Sequence, residues 1–224
     1  MPADPAPRGD ALLSDRLKAM GRAALAPVVN VLATGGVTPN SVTVAGLILV
    51  LAASLLIWQR SLVLGAVILA IGAVMDALDG GLARAQGGGT PFGAFLDSTL
   101  DRVGEAVVYL GIIAFWLDRT AQPFVPVMLA ALALSGSFLV SYSRARAEAV
   151  GFTASNGLAP RAERLIILVL GLALAGLGHS IFLLLAMGVI AILAWVTVAQ
   201  RIWNVRAQAA TADLPAPIGQ DKES

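Results

Sequence analysis

Six stretches of predominantly apolar residues, near 41–58, 62–82, 94–117, 123–143, 162–178 and 180–200, leave this chain few ways to fold. Crossing the hydrocarbon core of a bilayer takes about 20 apolar residues in helical form, and each stretch comes close to that length. A backbone in lipid must satisfy its own hydrogen bonds, which a helix does internally. Composition agrees: 58% of the 224 residues are hydrophobic and 13% charged, where a soluble domain carries roughly a quarter charged. The reading is an all-α integral membrane protein with six transmembrane helices. The connections at 59–61 and 178–180 are very short, so the helices they join run antiparallel.

Residues 1–10, with two acids and three prolines, read as a flexible arm and not as a cleavable signal. Leu13, Leu17, Met20, Ala24 and Val28 then recur at helical spacing, with Asp15, Arg16, Lys18 and Arg22 between them. That pattern predicts an amphipathic helix over 11–32 lying in the membrane interface. Thr38-Pro39-Asn40 breaks the chain before the first span. Six spans put both termini on one side, with the loops near 83–93 and 144–161. That side or its helix ends hold all but Arg60 and Arg119 of the 15 basic residues, which places the termini in the cytoplasm and the chain in the inner cell membrane. The polar stretch 207–224 reads as a disordered tail, so 11–206 is one membrane domain. Trp58, Trp116, Trp195 and Trp203 fall near span ends, as an interfacial aromatic belt does.

A net charge of +1 provides no basic stripe for a nucleic acid. With no cysteine, thiolate sites are excluded, and with a single histidine, His179, in a short outer turn, so is a histidine-rich metal site. The chemistry falls to carboxylates, arginines and bound metal.

Ionisable residues inside spans are costly and usually functional. Asp76 and Asp79 are three apart and share a helix face; Asp97 and Asp101 are four apart and share a face of the next helix. The turn between the pairs contains Gly87-Gly88-Gly89-Thr90-Pro91, short enough to bring all four carboxylates together. Such a group either shares protons or is neutralised by cations, and all-oxygen ligation suits Mg²⁺ or Mn²⁺. Four carboxylates can hold two ions about 3.5–4 Å apart. Gly80 and Gly81 permit a close backbone approach, Arg84 can pair with a phosphate, and Gly93 lets helices meet at the site. On the acids alone an ion-coupled transporter fits as well as an enzyme. The Gly and Arg placements favour a phosphate ligand.

Written out, Asp76-x2-Asp79-Gly80-x2-Ala83-Arg84-x8-Gly93-x3-Asp97-x3-Asp101 is identified as the signature of the CDP-alcohol phosphotransferase family. Thr38-Pro39-Asn40-Ser41-Val42-Thr43 resembles the family's entry to its first span. The resemblance implies that Asp76, Asp79 and Asp97 bind one metal ion and Asp76, Asp97 and Asp101 a second. It makes Asp101 the general base, and it assigns the CDP moiety of the donor to Gly80, Arg84, Thr90 and the backbone of Asn40, Ser41, Val42 and Thr43. It also implies a homodimer, for which Gly65, Gly72 and Gly136 would permit close packing.

The family serves several acceptor alcohols. Arg144, Arg146, Arg161, Arg164 and Arg201 gather at cytoplasmic helix ends, which suggests an anionic, phosphorylated alcohol. The segments Ser141–Glu148 and Arg161–Leu165 are similar to actinobacterial phosphatidylinositol-phosphate synthases. That resemblance implies acceptor binding by Ser141, Arg144, Arg164 and Arg201, although position 144 is usually Lys in that group. The implied donor is CDP-diacylglycerol and the acceptor inositol 1-phosphate, with phosphatidylglycerophosphate synthesis as the alternative. Glu105 reads as a structural partner of Arg102.

Overall fold

The computed structural model describes residues 9–154, 157–158 and 160–212, and of 9–20, 22 and 212 the backbone alone. These residues form seven α-helices: α1 Gly9–Thr34, α2 Pro39–Trp58, α3 Leu62–Ala85, α4 Pro91–Leu117, α5 Phe124–Ala149, α6 Arg161–Gly176 and α7 Ile181–Ala212. No strand occurs among them. Each helix from α2 to α7 covers one of the six apolar stretches. Four of the helices, α2, α3, α5 and α7, are long and apolar enough to cross a membrane. The six-span expectation is met only that far. α6 is shorter than those four, with 16 residues, and α4 carries Asp97, Asp101, Arg102 and Glu105 inside its length.

The helix boundaries follow local chemistry. Thr38 precedes Pro39 at the start of α2, its hydroxyl accepting from the Ser41 backbone N–H at 3.3 Å. Thr90 precedes Pro91 at the start of α4 in the same way, accepting from the Gly93 N–H at 3.0 Å. Both are a capping hydroxyl followed by a proline that has no N–H to lose. α3 stops because Gly87 takes φ +95°, which lets the Gly88 N–H reach the Ala83 carbonyl at 2.9 Å and closes the helix end.

The chain divides into two compact units, one of Met1–Ala53 and Ile68–Val107, the other of Ser54–Val67 and Val108–Ser224. In the first, Val29, Val42, Leu78 and Leu82 form a buried cluster with Leu25, Leu32, Ala33, Val37 and Met75 against it. The face that α1 buries is therefore Leu25, Val29 and Leu32. Ala24 and Val28 of the stripe expected to face the membrane interface lie outside this buried face, Val28 being 46% exposed, while Val29 Cγ2 fills the space a Cβ on Gly81 would need, at 3.0 Å. Gly81 thus serves the α1–α3 contact rather than a phosphate. α2 packs closely on α3 where a Cβ on Gly72 would meet Val50 at 3.0 Å, and on α4 where one on Gly104 would meet the same valine at 3.3 Å.

In the second unit α7 packs against α5 and α6. Small residues make this possible: a Cβ on Gly136 would stand 2.9 Å from Ala194 Cβ, and one on Gly171 2.5 Å from Ala186 Cβ. Gly72 and Gly136 are filled from within the chain, so their size is explained without a second copy. Trp195 Nε1 donates to the Leu132 carbonyl at 3.1 Å, and Trp116 is buried with its ring edge-on to Phe115. Trp116 therefore does not belong to an outward-facing belt, whereas Trp195 is 42% exposed. Trp58 and Trp203 are exposed. α7 continues to Ala212, past the boundary at 207 expected for a disordered tail, because 207–212 (AQAATA) is rich in alanine, the strongest helix former. The rest of that tail and the first residues of the N-terminal arm lie outside the described residues.

Candidate active site

The first unit carries the acids. The cap that ends α3 and the Thr–Pro start of α4 return the chain after five residues, 86–90. Asp76, Asp97 and Asp101 then each offer a carboxylate oxygen, all within 4.8 Å of one another, and each side chain is half-buried. This trio is the set that the motif resemblance assigns to a second ion. Asp79 faces elsewhere for part of its bonding. It is 6% exposed, and its Oδ2 accepts a 2.7 Å hydrogen bond from the Thr43 hydroxyl. It remains within electrostatic reach of Asp97 and Asp76.

The donor set fits a hard divalent cation. Octahedral ligation at about 2.1 Å places neighbouring oxygens about 3.0 Å apart and opposite ones about 4.2 Å apart. The three oxygens lie within 4.8 Å of one another, so side-chain rotation has to draw them together to meet those spacings. One atom from each of three residues leaves the other coordination positions to water or to substrate phosphate. The cluster is thus a partial cage, of the kind that phosphate-handling sites use.

Around the acids lie the residues expected to hold a nucleotide. The Arg84 guanidinium folds back over Gly80, its Nη1 3.5 Å from where a Cβ would stand, and it is exposed for an anion to reach. Asn40 Oδ1 and Thr90 Oγ1 each lie 3.1 Å from the Cβ position of Gly93, so a larger residue at 93 would push the starts of α2 and α4 apart. The Val42 side chain is core, so that position can offer a ligand only its backbone, while the exposed Ser41 hydroxyl donates to the Thr38 carbonyl at 2.7 Å.

Sequence reasoning missed two contacts here. Thr43 was read for its backbone alone, yet its hydroxyl orients Asp79 across 36 residues of sequence. Arg102 was read as the partner of Glu105, and it is, at 2.5 Å. It also brings Nη2 to 3.8 Å from Asp101 Oδ2.

The second unit carries the arginines. Arg164 is 2% exposed and Arg201 8%, and Arg201 Nη1 donates to the Val140 carbonyl on α5. Arg144 and Arg164 both lie within electrostatic reach of Arg201. Arg144 is exposed and holds Glu148 at 2.8 Å. Ser141, one turn before it, is half-buried. α5, α6 and α7 thus gather three guanidiniums and Glu148 in one unit, two of the guanidiniums buried, a net positive surrounding that suits an anion.

Comparison with known proteins places these features in context. A model of the CDP-alcohol phosphatidyltransferase family matches residues 36–213. Over 202 residues the chain is 39% identical to the phosphatidylinositol phosphate synthase of Mycobacteroides abscessus, covering 87% of this chain and 90% of that protein. It is also 39% identical over 178 residues to the archaetidylinositol phosphate synthase of Pyrococcus horikoshii, covering 78% and 87%. Two solved structures of the Mycobacterium tuberculosis phosphatidylinositol phosphate synthase superpose with a TM-score of 0.76 at 32% identity. One, with CDP-DAG bound, covers 85% of this chain and 97% of its own; the other, in complex with manganese and citrate, covers 88% and 97%.

Proposed function

The chain belongs to the CDP-alcohol phosphatidyltransferase family, and on that premise we propose that it transfers the phosphatidyl group of CDP-diacylglycerol to inositol 1-phosphate. The products are phosphatidylinositol phosphate and CMP. The observation that carries this reading is the convergence of Asp76, Asp97 and Asp101 on the two helices that hold the family motif.

The chain is a multi-pass membrane enzyme. In the fuller reading α2 to α7 are six spans, α1 lies in the interface, and the acids open to the cytoplasm. Asp76, Asp79 and Asp97 hold one divalent ion and Asp76, Asp97 and Asp101 another, as Mg²⁺ or Mn²⁺. When bound, these ions offset negative charge on the diphosphate and on departing CMP. Asn40 to Thr43, Gly80, Arg84 and Thr90 hold the CDP moiety, while the acyl chains stay in the bilayer. Ser141, Arg144, Arg164 and Arg201 hold the acceptor's phosphate.

Asp101 takes the proton from the attacking hydroxyl of inositol 1-phosphate. That oxygen bonds to the phosphatidyl phosphorus, the bond from this phosphorus to the CMP oxygen breaks, and CMP leaves with the electron pair. A carboxylate is a weak base, so orientation of the two substrates supplies much of the acceleration. In purified protein in lipid, Asp101→Asn should still bind CDP-diacylglycerol and release no CMP. Turnover near the wild-type rate in that variant would remove Asp101 from the role of base.

A further inference from the structure

The connection between α5 and α6 is tied to the far end of α7 by one side chain. α5 closes at Gly151, φ +86°, with the Phe152 N–H on the Ala147 carbonyl at 2.9 Å. The next residue, Thr153, meets Gln208. Gln208 Oε1 accepts from the Thr153 N–H at 3.0 Å and from its hydroxyl at 3.2 Å, and Nε2 donates to the Thr153 carbonyl at 2.6 Å. A primary amide thus pairs both backbone groups of one residue, as a neighbouring strand would. Ala154 follows and is buried, and Gly157 lies so close to Thr197 on α7 that no Cβ would fit between them.

Beyond this connection Pro160 begins α6, and its carbonyl accepts from the Arg164 N–H at 3.3 Å. Arg164 lies 11 residues on from the Thr153 that Gln208 grips, in the first turn of α6, while the helix carrying Gln208 also carries Arg201. Two buried guanidiniums within reach of each other repel. The Val140 carbonyl holds one of them from within the site, and attachments outside the charged site add to the control of their spacing. Gln208 lies nearly two turns beyond Arg201 and carries no charge.

We infer that Gln208 is a positioning residue for the acceptor site, setting the Thr153 connection against α7 and so the placement of Arg164 relative to Arg201. The inference rests on the reading above that these arginines hold the acceptor's phosphate. The test compares Gln208→Ala, Arg164→Ala and the wild-type enzyme in lipid, measuring KM for inositol 1-phosphate and for CDP-diacylglycerol, Tm, and amide hydrogen exchange over 150–154. The expected result for Gln208→Ala is faster exchange over that segment and an acceptor KM raised about tenfold, with donor KM and Tm unchanged. An unchanged acceptor KM there, beside a raised one in Arg164→Ala, overturns the inference and leaves the acceptor site standing. An unchanged acceptor KM in both variants overturns the acceptor site itself, and the inference with it. A fall in Tm with both KM values raised makes Gln208 a general structural residue and also overturns the inference.

Discussion

Replacing Thr43 with valine keeps the shape of the side chain and removes its hydroxyl from Asp79. That hydroxyl lies 2.7 Å from Asp79 Oδ2 and 3.1 Å from the Pro39 carbonyl. It has one proton, and the closer, negatively charged carboxylate is the better acceptor. Net contributions of hydrogen bonds to charged groups run to about 1.5–3 kcal/mol. Asp79 is 6% exposed, so water has little access to take the hydroxyl's place. At about 1.4 kcal/mol per decade, losing this bond weakens whatever the Asp79 carboxylate holds in place by roughly 10- to 100-fold, the range found for partners that orient metal-binding side chains. The assay is CMP release from CDP-diacylglycerol and inositol 1-phosphate, titrated with Mg²⁺. The half-activating concentration should rise by roughly that factor in Thr43→Val, and Thr43→Ser should restore it to near the wild-type value. A wild-type Mg²⁺ dependence in Thr43→Val, or an equal defect in Thr43→Ser, would refute the argument that this hydroxyl orients a metal-binding carboxylate.

Two further outcomes follow from contacts in each unit. Gly136→Val should lower stability by about 1–3 kcal/mol through overpacking, since even a Cβ there would stand 2.9 Å from Ala194 and 3.0 Å from the Trp195 ring; a Tm in detergent equal to wild type would contradict that packing. Glu105→Gln removes the charge that holds Arg102 Nη1 at 2.5 Å, freeing the guanidinium to close the 3.8 Å to Asp101 and compete with the acceptor hydroxyl for its oxygens. We expect a lower kcat with an unchanged KM for CDP-diacylglycerol, and an unchanged kcat would show that Arg102 stays where it is.

The acids were legible because their signal is local. Carboxylates at helical spacing on two stretches joined by a glycine-rich turn can only converge, and the structure brings Asp76, Asp97 and Asp101 to one point. The six helix positions were legible for the same reason, since long apolar runs mark them and Thr–Pro caps open α2 and α4, although α5 and α7 run on past their apolar stretches to Ala149 and Ala212. What escaped depends on partners far along the chain. Thr43 and Asp79 are 36 apart, and Thr153 and Gln208 are 55 apart; nothing in the local pattern of either residue names the other. Which face of α1 turns inward was decided by the opening at Gly81, so Val29 is buried rather than Val28. The polar tail hid a helix because its alanines favour one more strongly than its glutamine and threonine oppose it. Small residues in spans carry an ambiguity of their own: Gly72 and Gly136 could have faced a second copy, and they face Val50 and Ala194.

The central claim is that this enzyme joins a CDP-activated lipid to a phosphorylated inositol. Its most direct test is CMP release by the purified protein in lipid with CDP-diacylglycerol and Mg²⁺, supplying inositol 1-phosphate, glycerol 3-phosphate, inositol or serine in separate reactions. The account predicts release with inositol 1-phosphate and not with the other three. Release with glycerol 3-phosphate instead would contradict the acceptor assignment and with it the reading of Arg144, Arg164 and Arg201 as an inositol-phosphate pocket.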